Sequence, residues 1–298
     1  MKRSIYHPLR FVVDWVLTMP SDLPYIIQQI ASQFGTTPDC VQMTPILHGV
    51  LERNNVWRLE IAGKIYLLKQ HLNAEPIGES TFTPFQIESS ALAMLHQAGC
   101  HVPKIVWKSD SEFCLLLEWC GEATLDDLAQ LKQSKHPGFI QAQLTEMLKS
   151  VSINVIREFC RIENAFAKHT AAIAPYVYPM NYSNFLHHTM QTMLDQGRKT
   201  MSYLARLSGL QRQETIDTIW LDLSDCLHDT APTLGSLDYN ARNVIIDQEK
   251  PTFIDFASVG WDWGERRLVH AVIFGEDMLL GISGLFWFLT LPAQLAVS

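Results

Sequence analysis

The residues best suited to chemistry lie in one stretch, Leu237 to Phe256. A polar loop, Asp238 to Asn243, leads into an apolar run, Val244-Ile245-Ile246. Asp247 to Pro251 reads as a turn, and a second short run, Thr252 to Ile254, ends on Asp255. Short apolar runs bounded by turn residues are the signature of a β-hairpin. A hairpin sets the start of one strand beside the end of the next, so Asn243 and Asp255 are predicted side by side, close to Asp238. Two hard oxygen ligands there suit a divalent cation carrying a phosphate tail, and one carboxylate is left over as a base.

The elements that must hold this site come earlier in the chain. Ser21 to Phe34 reads as a helix, with Leu23, Ile26, Ile27, Ile30 and Phe34 on one face and Gly35 as its stop. From Ile46 to Leu72 the period changes to two. Trp57, Leu59 and Ile61 alternate with polar residues, Ala62-Gly63 makes a tight turn, and Ile65 to Leu72 returns as a strand. Lys69 sits in that strand among Leu67, Leu68 and Leu72. It must either snorkel from an edge or meet a charged partner.

Thr83 to Ala98 supplies a candidate partner. Thr83, Pro84 and Gln86 spell a capping box with proline at the first helical position. Phe85, Glu88, Leu92 and Leu95 then share a face, on which Glu88 is the one carboxylate. Val106-Trp107 and Cys114 to Trp119 read as further strands. Thr124, with Asp126 and Asp127 behind it, opens a helical block that continues to Asp229. Its stripes (Leu144 to Ile162, Met190 to Leu204, Ile216 to Leu227) are expected to be core. The aromatic, proline-rich loop Ala174 to Asn184 is a candidate substrate contact. The pair His187-His188 fits a surface better than a metal site.

Composition narrows the function classes. At 47% hydrophobic and 18% charged, the 298 residues are too apolar for disorder and long enough for two lobes. A net charge of -8 disfavours a nucleic-acid partner and tolerates a cationic one. The cysteines (Cys40, Cys100, Cys114, Cys120, Cys160, Cys226) contain no CxxC pair and are scattered along apolar stretches. They are expected to be buried thiols in a reducing, cytoplasmic setting. Asp14 breaks the apolar run near the N-terminus and argues against a signal peptide. Leu279 to Val297 is long enough to span a bilayer. Its glycines, Pro292 and Gln294, with an acidic flank at Glu276 and Asp277, favour a buried terminal helix instead, so membrane association is not expected.

The order of these features resembles the protein-kinase-like fold, and more closely the aminoglycoside phosphotransferase and choline kinase group. The match runs from about Ile46 to Leu268. Ser236-Leu237-Asp238-x4-Asn243 is similar to the group's His-Gly-Asp-x4-Asn loop, and Ile254-Asp255-Phe256 to its metal-binding Ile-Asp-Phe. The run Glu88 to Pro103 resembles its N-lobe helix, and Leu115-Leu116-Leu117-Glu118-Trp119 its interlobe linker. The resemblance implies an α+β, two-lobed fold: a small antiparallel-sheet N-lobe with one key helix, and a mainly helical C-lobe. Residues 1–40 would be a helical extension, 41–120 the nucleotide-binding N-lobe and 121–298 the helical C-lobe with catalytic loop and acceptor site.

The resemblance also implies roles. Lys69, oriented by Glu88, would hold the α- and β-phosphates of ATP, and the main chain around Glu118, Trp119 and Cys120 would bind the adenine edge. Asn243 and Asp255 would coordinate Mg²⁺, and Asp238 would orient the hydroxyl of a small-molecule acceptor and accept its proton. Glu265 or Asp262 would brace the catalytic loop. The chain departs from the group at three places. Ser236 replaces a histidine, the phosphate loop Leu47 to Asn55 holds a single glycine, and the stretch after Asp255 is short. The expected activity is transfer of the γ-phosphoryl of ATP to a hydroxyl of an aminoglycoside, amino alcohol or sugar. The alternative is a catalytically weak nucleotide-binding or regulatory module on the same fold. Asp255-Phe256-Ala257 runs quickly into Gly260-Trp-Asp-Trp-Gly264, which leaves no room for the long activation segment of a protein-substrate kinase.

Overall fold

The computed structural model describes residues 22–46, 54–72, 82–133, 137–177, 183–209, 213–264 and 266–268. The N-terminal run around Asp14, residues 47–53 of the expected phosphate loop, Glu265 and the apolar stretch Leu279 to Val297 lie outside them. The chain forms two compact units. One is Met1–Asn73 with Ile105–Trp119, and the other is Ala74–Lys104 with Cys120–Ser298.

The first unit is built on a five-stranded antiparallel sheet of order β1-β2-β3-β5-β4. The strands are β1 (Val41–Pro45), β2 (Asn54–Ile61), β3 (Lys64–His71), β4 (Ile105–Ser109) and β5 (Cys114–Glu118). Helix α1 (Leu23–Gln33) lays Leu23, Ile26 and Ile30 onto Trp57, Leu59, Ile61, Leu68 and Leu116. Full burial of three such aliphatic side chains contributes about 6 kcal/mol as an upper bound. The β2–β3 turn closes on Ile61 paired with Lys64, and Ala62 and Gly63 have φ of 51° and 74°. Positive φ at both central positions is the type I′ turn, whose twist matches that of the flanking strands.

The second unit begins with helix α2 (Pro84–Gln97). Its capping box forms as the sequence predicts: the Gln86 N–H donates to Thr83 Oγ1 at 3.3 Å, and the Thr83 N–H donates to Gln86 Oε1 at 2.9 Å. Phe85, Glu88, Leu92 and Leu95 are all buried. A short strand β6 (Ala123–Thr124) leads into α3 (Leu125–Gln133), which opens with a second box in which Thr124 and Asp127 exchange bonds. The long helix α4 (Gly138–Lys168) follows, then α5 (Ser183–Leu207) and α6 (Gln213–Asp229). Val151, Val155, Phe159 and Ile162 of α4 are buried, as the apolar stripe predicts.

The stripes on α5 and α6 do not behave as expected. Met193, Met201, Leu204 and Ile219 are exposed, between 46% and 53%. These helices pack on each other, with Trp220 seated over Gly197 and its Nε1 donating to the Leu194 carbonyl at 2.5 Å. Each helix offers its partner one narrow seam, and the apolar stripe is wider than that seam. The expectation of buried thiols also holds only in part. Cys100 and Cys114 are buried, Cys120 and Cys160 are half-buried, and Cys40 is exposed. Among the described residues no helix is long and apolar enough to cross a membrane.

Candidate active site

The hairpin around Asp238, Asn243 and Asp255 is formed by β8 (Val244–Asp247) and β9 (Lys250–Phe253). Its turn is tighter than the sequence suggests. Asp247 pairs with Lys250, so only Gln248 and Glu249 are in the turn, with φ of 46° and 65°. Pro251 is therefore not a turn residue but part of β9, opposite Ile246. It is tolerated because β9 is the edge of the sheet β6-β8-β9, where a missing N–H costs no ladder bond. The turn is fixed from α4, where Ser150 Oγ donates to Glu249 Oε2 at 2.6 Å and Asn154 Nδ2 donates to the Glu249 carbonyl at 3.1 Å.

At the open end of the hairpin, Val244 faces Phe253, and the Ile254 N–H donates to the Asn243 carbonyl at 2.9 Å. Asn243 therefore lies opposite the residue that precedes Asp255. Asn243 Nδ2 donates to the main-chain carbonyl of Asp238 at 3.0 Å, which joins loop and hairpin and turns the amide oxygen the other way. Asp255 itself has φ of 62°, a left-handed backbone that redirects its side chain where the strand ends. Asp238 Oδ1 accepts from Asn240 Nδ2 at 2.6 Å. The loop closes through a 3-10 turn, Ala241–Asn243, in which Asn240 Oδ1 accepts from the Arg242 N–H at 3.0 Å.

The loop hangs from strand β7 (Thr233–Ser236), which pairs antiparallel with β10 (Val259–Asp262). The Leu237 N–H continues that ladder by donating to the Ser258 carbonyl at 2.8 Å. Ser236 is buried; its Oγ accepts from the Asp238 N–H at 3.3 Å and donates to the Ser258 carbonyl at 3.5 Å, both long bonds.

Lys69 lies on β3, between Val56 of β2 and Leu115 of β5. This strand is interior to its sheet, so the snorkelling edge-strand lysine is overturned, and the side chain is only 6% exposed. Leu72, expected beside it, falls past the strand and is exposed. Lys69 shares its sheet face with Leu67, opposite the α1 side, because its partner Val56 alternates with the α1-facing Trp57. Glu88 is on α2, 1% exposed. The β5 ladder ends with Glu118 opposite Tyr66, and Trp119 and Cys120 follow outside the strand. Arg58 stacks over the Trp119 ring at 5.8 Å.

Of the two candidate braces, Glu265 lies outside the described residues. Asp262 is buried, but its carboxylate is taken by Arg266 Nε at 2.7 and 2.9 Å and by the Trp263 N–H at 2.9 Å. His188 is exposed, and His187 packs edge-on against Trp263 at 4.9 Å. Positions 178–182 of the aromatic loop lie outside the described residues, and Tyr176 stacks with Phe82 at 4.6 Å.

Sequence reasoning missed four residues. Glu158 and Glu163 sit within the apolar stripe of α4. Glu158 accepts from the His101 N–H at 2.6 Å and from Arg161 at 3.0 Å, tying the loop after α2 to α4. Glu163 accepts from the Tyr239 hydroxyl at 3.0 Å and pairs with the buried Arg267. The signal was available: two carboxylates interrupting a helical stripe whose neighbours Phe159, Ile162 and Phe166 are core require buried partners. Burial, reinforced by the Glu163 carboxylate, pushes the Tyr239 hydroxyl well above its usual range, against the opposing pull of Arg267.

No protein-family model and no curated protein matches the chain. Solved structures do. A thermostable variant of aminoglycoside phosphotransferase APH(4)-Ia, in ternary complex with AMP-PNP and hygromycin B, matches at a TM-score of 0.52 and 13% identity, over 94% of this chain and 85% of that one. Aminoglycoside phosphotransferase APH(4)-Ia itself matches at 0.50 and 14%, over 92% and 84%. An amicoumacin kinase in complex with AMP-PNP, Ca²⁺ and Ami matches at 0.45 and 16%, over 87% and 73%. The class of fold is thereby defined: protein-kinase-like, of the kind found in aminoglycoside phosphotransferases. At these identities the likeness is one of fold alone.

Proposed function

We propose that the chain is an ATP- and Mg²⁺-dependent phosphotransferase that moves the γ-phosphoryl to a hydroxyl of a small molecule of the aminoglycoside, amino-alcohol or sugar class. The observation that carries this reading is the loop-and-hairpin geometry, with Asp238 on the loop and Asn243 and Asp255 at one end of the hairpin. Similar folds solved with AMP-PNP and hygromycin B support it as context.

The donor set fits a phosphate-bound Mg²⁺. Among the described residues no group of three or more His, Cys, Asp or Glu converges on a metal position. A phosphate-bound Mg²⁺ takes few protein ligands and fills its octahedron with water and phosphate oxygens. One amide oxygen from Asn243, whose nitrogen is committed to the Asp238 carbonyl, and one carboxylate from Asp255 meet that need. When bound, the ion would neutralise charge on the phosphates as the transfer proceeds.

Asp238 has one oxygen anchored by Asn240, which leaves the other to accept the proton of the acceptor hydroxyl. That O–H bond breaks as the oxygen bonds to the γ-phosphorus. The bond from phosphorus to the β,γ-bridging oxygen breaks, and ADP leaves. Lys69 would hold the α- and β-phosphates, and the role the resemblance implies for Glu88 is kept with it. The main chain at Glu118 to Cys120 would take the adenine edge, beyond the last rung of the ladder. In this reading residues 41–120 bind nucleotide and 121–298 hold the catalytic loop and acceptor. The net charge of -8 favours a cationic acceptor, and free thiols fit a cytoplasmic setting.

A nucleotide-binding module without transfer is the second reading, favoured by Ser236, whose long bond to the Asp238 N–H is slender support for a catalytic loop. ADP release separates the two. Purified protein with Mg-ATP and a panel of aminoglycosides, amino alcohols and sugars should release ADP faster with at least one acceptor than with none. ATP-induced thermal stabilisation with no acceptor-dependent ADP would instead select the binding module.

A further inference from the structure

We infer that Tyr239, Glu163 and Arg267 form a brace that fixes the orientation of Asp238, so that all three are positioning residues for the transfer; the catalytic part rests on the phosphotransferase reading. Tyr239 is the residue immediately after Asp238 and is 2% exposed. Its ring packs edge-on to Phe159 at 5.0 Å and to Phe253 at 5.7 Å, and its hydroxyl donates to Glu163 Oε1 at 3.0 Å. Asp238 is half-buried beside the buried Tyr239, so anchoring the Tyr239 side chain fixes the backbone from which Asp238 projects.

Glu163 is in turn held by Arg267. Nε of Arg267 reaches both carboxylate oxygens, at 3.2 and 3.1 Å, and Nη2 pairs with Oε2. The same guanidinium grips the β7–β10 ladder. Nη1 donates to the carbonyls of Thr233 at 3.0 Å and Asp262 at 2.7 Å, and Nη2 donates to Thr233 Oγ1 at 2.7 Å. Thr233 and Asp262 face each other at one end of that ladder, and Ser236, which leads to Asp238, is at the other. The guanidinium thus ties both strands and α4 into one body, and Tyr239 is suspended from it. A planar donor fork saturated on five acceptor atoms holds geometry in a way a point charge would not. The alternative support, Ser236 Oγ, makes two long bonds, accepting from the Asp238 N–H at 3.3 Å and donating to the Ser258 carbonyl at 3.5 Å.

The test uses the full-length chain as wild type, Tyr239→Phe and Glu163→Gln. Amide hydrogen exchange over residues 236–243 reads the brace directly, with residues 54–71 as internal control. Tyr239→Phe keeps the buried ring and removes one buried hydrogen bond, so exchange in 236–243 should accelerate about tenfold while the control is unchanged. With an acceptor found in the ADP assay, turnover should fall about tenfold at constant KM for ATP, the pattern of a misplaced catalytic group. Glu163→Gln should shift both readouts in the same direction and further. Unchanged exchange in 236–243, equal acceleration in both segments, or wild-type turnover in Tyr239→Phe would overturn the inference. If wild type phosphorylates nothing, the phosphotransferase reading falls, and exchange still decides whether the brace holds the loop.

Discussion

Gly235→Ala should destabilise the second unit, against the usual trend for glycine in a strand. Gly235 sits in β7 opposite Gly260, and its backbone is not in the positive-φ region, so alanine can adopt it. In an open strand that exchange would stabilise by about 0.5–1 kcal/mol. A Cβ at Gly235 would instead lie 2.6 Å from Arg267 Nε, 2.7 Å from its Cζ and 2.8 Å from Glu163 Oε1. The guanidinium cannot move without loosening its bonds to Glu163, Thr233 and Asp262. Overpacking of this kind costs about 1–3 kcal/mol, and weakening of a buried ion pair adds to it. After the alanine gain, a net loss of about 2 kcal/mol is expected, or about 4–8 °C in melting temperature. Urea unfolding checks the sign. In an Arg267→Met background the added cost of Gly235→Ala should fall below about 1 kcal/mol, a coupling that a double-mutant cycle reads. A midpoint that rises or stays level in the single variant would refute the packing argument.

Other outcomes follow from the same structure. Asp255→Ala should abolish the Mg²⁺-dependent part of ATP-induced thermal stabilisation; an unchanged Mg²⁺ effect would remove Asp255 from the metal. Burial raises the thiol of Cys100 to about 11 and that of Cys114 to about 12, from an ordinary value of 9.0. The unfolded chain therefore releases these protons first, and the stability they contribute, complete below pH 9, is lost as pH rises toward 11 and 12. The urea midpoint should fall between about pH 8 and about pH 10.5, and Cys114→Ala should flatten the fall; equal slopes in both proteins would contradict this. Lys69→Met should raise the KM for ATP about tenfold or more with little loss of folded protein, and an unchanged KM would detach Lys69 from the phosphates.

Local rules were legible wherever one residue type has one job. Thr83, Pro84 and Gln86 announced the start of α2, and the Ala62-Gly63 pair announced a hairpin turn. The Asn243 to Asp255 hairpin was also readable, though not its register. Gln248 and Glu249 adopt positive φ without being glycine or asparagine, and Pro251 enters the strand only because β9 is an edge. Both are decided by neighbours in space. The α5 and α6 stripes carried the right period, but periodicity cannot say how much of a face a partner will cover. The Glu163–Arg267–Tyr239 cluster joins residues 104 and 76 positions apart, and no local pattern reports such pairings. What the sequence did show was the anomaly itself, carboxylates in a buried stripe.

Phosphoryl transfer to an acceptor is the central claim, and mass spectrometry of the acceptor tests it most directly. Each panel compound is incubated with Mg-ATP and either wild-type protein or Asp238→Asn. An acceptor should gain one phosphoryl group with wild type, and at a rate about 10²-fold or more lower with the variant. Phosphorylation at equal rates by both proteins would show that Asp238 is not the base, and an unmodified panel beside nucleotide binding would show that the fold binds ATP without transferring it.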